Sequence, residues 1–198
     1  MPHPQDIDPH SGCRLPLPSR DALGEAGQAA WDRANRPGTL AGLRGPAGLQ
    51  LHSPETSPHL AALNIYLRQA AGFAPRVREV AILATAREMD SQFEWATHEA
   101  EALRVGVPSE VVEAIRHGRA LDGLPDEDVL IIDLARQLWR THRVSADTYA
   151  QLHARFGTRQ MLELVVLMGT YANTAAMLAL VDMQVPPEFP GRLPELAR

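Results

Sequence analysis

From Pro75 to Met89 the spacing predicts a helix that is apolar nearly all round, and a segment of that kind has to be enclosed by the rest of the chain. Pro75 sits where proline is favoured, in the first turn. Val77, Val80, Ala81 and Ala84 form one apolar stripe, and Ile82, Leu83 and Ala86 extend it around the helix. Glu79 is the anomaly, with Ile82, Leu83 and Pro75 as its helical neighbours. A carboxylate in that company is either paired or pushed toward its neutral form.

The remaining periodicity is helical as well. Asp21 can cap a first helix running through Trp31 and Ala34, with Pro37-Gly38 ending it, and a Gly-rich passage then leads to a turn or loop at Leu49 to Glu55. Further helices are predicted over Ser57 to Ala70, from Asp90 or Ser91 to Gly106, from Pro108 to about Gly118, and from Pro125 to His142. Ser145 opens another that Phe156-Gly157 closes, and Thr158 caps a long final helix. No run alternates with the period of a strand, so the expected class is all-α. The 198 residues suit one domain, at 21-185, between a proline-rich flexible arm at 1-20 and an extended tail at 186-198.

Composition narrows the partners. A net charge of -5 leaves no footprint for nucleic acid. Met161 to Val181 is apolar and about as long as a bilayer-spanning helix, roughly 20 residues, but it carries Glu163, Asn173 and Thr174. It reads as a buried or subunit-interface helix, and no membrane partner is expected. The single cysteine, Cys13, excludes an intrachain disulfide framework and, with no secretory signal visible, suits a cytoplasmic location.

The residues that could carry chemistry lie just after the apolar helix. Glu94 and His98 are four residues apart and share a helical face, which lets a carboxylate orient an imidazole. With Glu79 they make acid-base equipment without a local thiol. Ser91-Gln-Phe-Glu94 also fits a Ser-x-x-Glu capping box, so Glu94 is a cap, a catalytic group, or both. Two carboxylates and an imidazole could hold a metal, but the spacing is not that of a zinc protease, and neither metal nor other cofactor is expected. Trp95 is more often a core residue than a substrate platform; with Ser91 and Tyr171 it completes the candidate substrate contacts. Tyr171, within the apolar final helix, needs a hydrogen-bond partner if buried. Glycine-rich nucleotide loops and the Gly-x-Ser-x-Gly elbow are missing.

Taken together, Pro75-Arg-Val-Arg-Glu79-Val-Ala-Ile-Leu, Phe93-Glu94-Trp95-x-x-His98-x-x-x-Ala102 and Gly106-Val107 resemble the carboxymuconolactone decarboxylase and alkylhydroperoxidase D-like superfamily, over about Leu40 to Val185. The resemblance implies an all-helical homo-oligomer, a trimer or hexamer, with its site between helices near a subunit interface. The dithiol peroxidases of the superfamily carry Cys-x-x-Cys before the histidine, and those cysteines fall on Ser91 and Glu94 here. Peroxide attack needs the thiolate, so their loss removes that mechanism. The decarboxylase branch is also thiol-free. It implies acid-base chemistry on a small organic acid or lactone, with His98 as general acid-base, Glu94 as its orienting partner, and Glu79 as a second proton carrier or buried partner. Arg76, Arg78 and Arg87 are the candidates for holding a substrate carboxylate. The alternatives are a hydroperoxide-reducing oxidoreductase and a non-catalytic helical binding or assembly protein.

Overall fold

The computed structural model describes residues 6–36 and 41–195, and over them the chain is all-α, with no strand. The predicted Pro37-Gly38 stop and the first five residues of the arm lie outside the described residues. The helices are α1 (Glu25–Ala34), α2 (Pro46–Gln50), α3 (Ser57–Gln69), α4 (Pro75–Glu88), α5 (Gln92–Arg104), α6 (Ser109–Arg116), α7 (Asp126–Arg136) and α8 (Ala146–Leu180).

Helix α4 is the centre of the molecule. Every residue from Val77 to Arg87 is buried, and α5, α6, α7 and α8 all pack on it. Leu83 on α4, Trp95 on α5, Ile115 on α6, Ile131 on α7 and Leu164 on α8 belong to one continuous apolar cluster. Burial of such side chains contributes about 1.5–3 kcal/mol each, and the other helices enclose the one that could not face water.

Local chemistry aims α5. At the end of α4, Asp90 adopts a left-handed φ of 49°, the Ser91 N–H donates to the Ala86 carbonyl at 2.8 Å, and the Asp90 N–H donates to Arg87 at 3.1 Å. Those two bonds make a Schellman closure. Arg87 pairs with the Asp90 side chain across it, and Ser91 then stands as the N-cap of α5.

The structure departs from the sequence reading in four places. The first helix begins at Glu25, after a separate 3₁₀ turn at Arg20–Ala22. Leu49 and Gln50, expected in a loop, belong to α2, which Pro46 opens at its first turn. The helix expected to reach His142 changes to π geometry at Gln137–Thr141, where the Gln137 amide is held by Asp133, Ser145 and Thr148. Within 6–20 the expected flexible arm is pinned. Arg14 N–H donates to the Val181 carbonyl at 2.9 Å, Gln184 N–H donates to Gly12 at 2.8 Å, and Cys13 is buried. The tail is likewise anchored, with both amide atoms of Gln92 bonded to the Leu193 backbone.

The predicted boundary near Gly157 is visible as a break inside α8, with φ 69° and ψ 171° at that residue. Only glycine occupies this region without strain. A Cβ at Gly157 would meet nothing within 4 Å, so a substitution is penalised through the backbone alone. Gly157→Ala is expected to lower stability by about 1–3 kcal/mol, read from urea unfolding.

Candidate active site

Glu79 projects from the middle of α4 and is 0% exposed. It is fully engaged: its Oε2 accepts from His98 Nδ1 at 2.7 Å, and its Oε1 accepts from Arg78 Nε at 3.2 Å. Arg68 Nη2 stands 3.9 Å from the same Oε1. Burial raises the Glu79 carboxyl, but the bond and charge of His98, with Arg68 and Arg78, outweigh it, and the net shift is downward. An ionised carboxylate only accepts, so the shared proton belongs to Nδ1 of His98. Nε2 is then the ring atom free to accept.

Nε2 faces Glu94, whose Oε2 is 3.6 Å away. That is longer than a hydrogen bond. The half-made cap explains why Glu94 is available: Ser91 Oγ accepts from the Glu94 N–H at 3.5 Å, but the Ser91 N–H is already taken by Ala86. The Glu94 carboxyl therefore has no reciprocal capping bond to make, and it turns to the imidazole. Burial pushes its carboxyl up, opposed by His98 and Arg68 and reinforced by Glu79. Two carboxyls flanking one histidine are thus driven in opposite directions, which separates their acid-base roles.

Glu94 and His98 line a cavity of about 550 Å³ between α1, α2 and α3 on one side and α5 and α8 on the other. Phe93, Tyr171 and Met177 contribute to its wall, and Arg33 supplies a cation. Glu79 stays behind the wall and reaches the cavity only through His98. Of the two roles the resemblance leaves for Glu79, second proton carrier or buried partner of His98, the 2.7 Å bond fits the partner, so Glu79 rather than Glu94 is the group that holds the imidazole. Among the described residues no group of three His, Cys, Asp or Glu is arranged to hold a metal.

The candidate substrate contacts separate. Tyr171 lines the cavity. Ser91 does not, being spent on the helix cap, and Trp95 is enclosed in the core, with its Nε1 donating to Glu99 at 3.2 Å and the Arg116 guanidinium 5.1 Å above its ring. The three candidate carboxylate binders are committed elsewhere. Arg76 pairs with buried Asp128, Arg78 bonds Glu79 and the Arg68 carbonyl, and Arg87 holds Asp90 and the Pro194 carbonyl. Arg33 and Arg68 carry no signal in the sequence, because α1 and α3 are distant from the Glu79 to His98 segment and no spacing links them to it.

A carboxyl whose folded pKa is raised contributes stability below its unfolded value, 4.5 for Glu94, and loses it as pH rises through the folded value. Glu94→Gln is therefore expected to gain on the wild type by about 1.4 kcal/mol per pH unit between the unfolded value and the folded one, to level off above the folded value, and to show no gain in acid. Thermal unfolding of both proteins across pH measures this.

No family model matches the chain, and no curated protein is similar to it in sequence. Among solved structures it is similar to the alkylhydroperoxidase AhpD core of an uncharacterized peroxidase-related protein from Ralstonia eutropha JMP134, with a TM-score of 0.70 and 16% identity. The match covers 90% of this chain and 94% of that one. At that identity the likeness is one of architecture: the chain has the all-helical alkylhydroperoxidase D-like fold.

Proposed function

We propose that this chain is a thiol-independent acid-base enzyme acting on a small organic acid or lactone, a decarboxylase or related lyase of the carboxymuconolactone decarboxylase type. The observation that carries the reading is the line of Glu79, His98 and Glu94 ending at the cavity wall, with a 2.7 Å bond on the buried side and a 3.6 Å gap on the open side. Glu79 holds the imidazole and stabilises it when protonated. Nε2 of His98 takes or gives the proton, and Glu94 in its neutral form is a second acid beside it.

In a decarboxylation the carbon–carboxylate bond breaks, its electron pair passes into the conjugated carbonyl, carbon dioxide leaves, and a proton from His98 or Glu94 is delivered to carbon. Arg33 is the cation on the cavity wall suited to a substrate carboxylate.

The neighbour's description as peroxidase-related favours a second reading, hydroperoxide reduction. Ser91 and Glu94 occupy the thiol positions implied by the resemblance, and Cys13 is buried in the N-terminal stretch, outside the cavity lining. Assembly as a cytoplasmic homo-oligomer belongs to the same proposal. An interface between copies is supported by Leu162 and Val166, 58% and 43% exposed on α8, beside the α3 residue Tyr66, whose hydroxyl bonds Glu163 at 2.6 Å.

The test follows solvent-deuterium incorporation and carbon dioxide release on a panel of unsaturated lactone acids and keto acids. His98→Ala is expected to lower turnover by about 10²- to 10⁴-fold with helical content unchanged; full activity in that variant would refute the reading. Peroxide consumption with a dithiol donor is expected to stay near blank in the wild type and in Cys13→Ser, and a rate lost in Cys13→Ser would support the peroxidase reading instead.

A further inference from the structure

Tyr171 occupies the cavity wall beside the proposed base. Its ring and the His98 imidazole form a T-shaped pair, with centroids 5.2 Å apart and planes at 86°. The hydroxyl oxygen accepts from Arg68 Nη1 at 2.9 Å. A phenol has one O–H of its own to donate, and the bond from Arg68 is the only one this hydroxyl makes among the described residues. The donor is left over in a nearly buried position, 5% exposed, where an unmatched polar group is unfavourable. Arg68 also faces Glu79 at 3.9 Å. One guanidinium therefore touches both the phenol and the carboxylate behind the imidazole.

We infer that Tyr171 is an oxyanion-binding residue, held in that role by Arg68, and that the cavity takes carbonyl compounds that react through an enolate. The inference rests on the acid-base reading of His98. In the step it implies, Nε2 of His98 removes a proton from the carbon next to the carbonyl. The C–H electron pair becomes the carbon–carbon double bond of the enolate, and the carbonyl π pair settles on oxygen, where Tyr171 donates to it. Return of the proton to carbon closes the sequence, and no oxidant or reductant is needed.

Burial pushes the Tyr171 hydroxyl up to about 12, against the opposing charge of Arg68, so it remains a phenol over the working range. Arg68, bonded to the hydroxyl, places a positive charge beside it, which favours a developing anion.

Nitrophenolates of one shape and graded basicity serve as probes of the enolate oxygen, with binding read by visible absorbance at a pH where each is ionised. Wild type is expected to bind them at least about 10-fold more tightly than Tyr171→Phe, the scale of one hydrogen bond to a charged group. Affinity should also rise with phenolate basicity in the wild type and flatten in Tyr171→Phe. Arg68→Gln is expected to reduce that slope, which a purely structural role would leave unchanged. Replacing Tyr171 by 3-fluorotyrosine preserves shape and sharpens the donor, so tighter binding is expected even if the phenylalanine variant folds poorly. Equal affinities in wild type and Tyr171→Phe, or no binding by the wild type, would overturn the inference. Because the readout is binding, failure of the acid-base reading would appear separately, as absent turnover with phenolate binding intact.

Discussion

A carboxylate at the centre of an otherwise apolar helix can persist only if its surroundings are built to hold it. Glu79 meets that condition through the 2.7 Å bond from His98 and the guanidinium of Arg78. Removing one partner from a buried pair of this kind typically costs about 3–5 kcal/mol, so the site and the core are not independent. The same bond decides the chemistry: it fixes the Nδ1–H tautomer and leaves Nε2 facing the cavity, the arrangement in which a carboxylate orients a histidine base.

Several helices converge on that one charge. Arg78 is on α4 and bonds the Arg68 carbonyl near the end of α3 at 2.8 Å. Arg68 reaches α8 through Tyr171, and His98 brings in α5. The start of α5 is held on its outer side by the tail, through Gln92 and the Leu193 backbone. The site is thus a joint between helices whose apolar faces already fix their packing. That rigidity is what a proton-transfer geometry requires.

Much of this was legible in the sequence because it is local. The all-round apolar pattern from Val77 to Ala86 identified the central helix and marked Glu79 as a buried acid in need of a partner. The four-residue spacing placed Glu94 and His98 on one face, and Gly157 marked the break in α8. The order of the two acids was not legible, because Glu79 and His98 meet across the Asp90 turn and no helical period relates residues on different helices. The capping-box pattern at Ser91 was also ambiguous, and only the Schellman bond from Ser91 N–H to Ala86 shows that the reciprocal half is not made. Trp95 adjoins Glu94 in sequence, which suggests a substrate contact, yet its side chain points into the core. Arg33, Arg68 and the α1 to α3 side of the cavity depend on long-range packing that spacing does not encode.

The central claim is that the surroundings of the two acids beside His98 push their carboxyls in opposite directions, Glu79 downward and Glu94 upward. Infrared difference spectroscopy of the wild type against Glu94→Gln, followed across pH, measures it directly. The account requires the carbonyl band of a protonated, buried carboxylic acid, missing in Glu94→Gln, to persist in the wild type above the ordinary glutamate range. A pair of carboxylate bands assigned to Glu94 by the same subtraction and appearing at or below the ordinary glutamate range would contradict it.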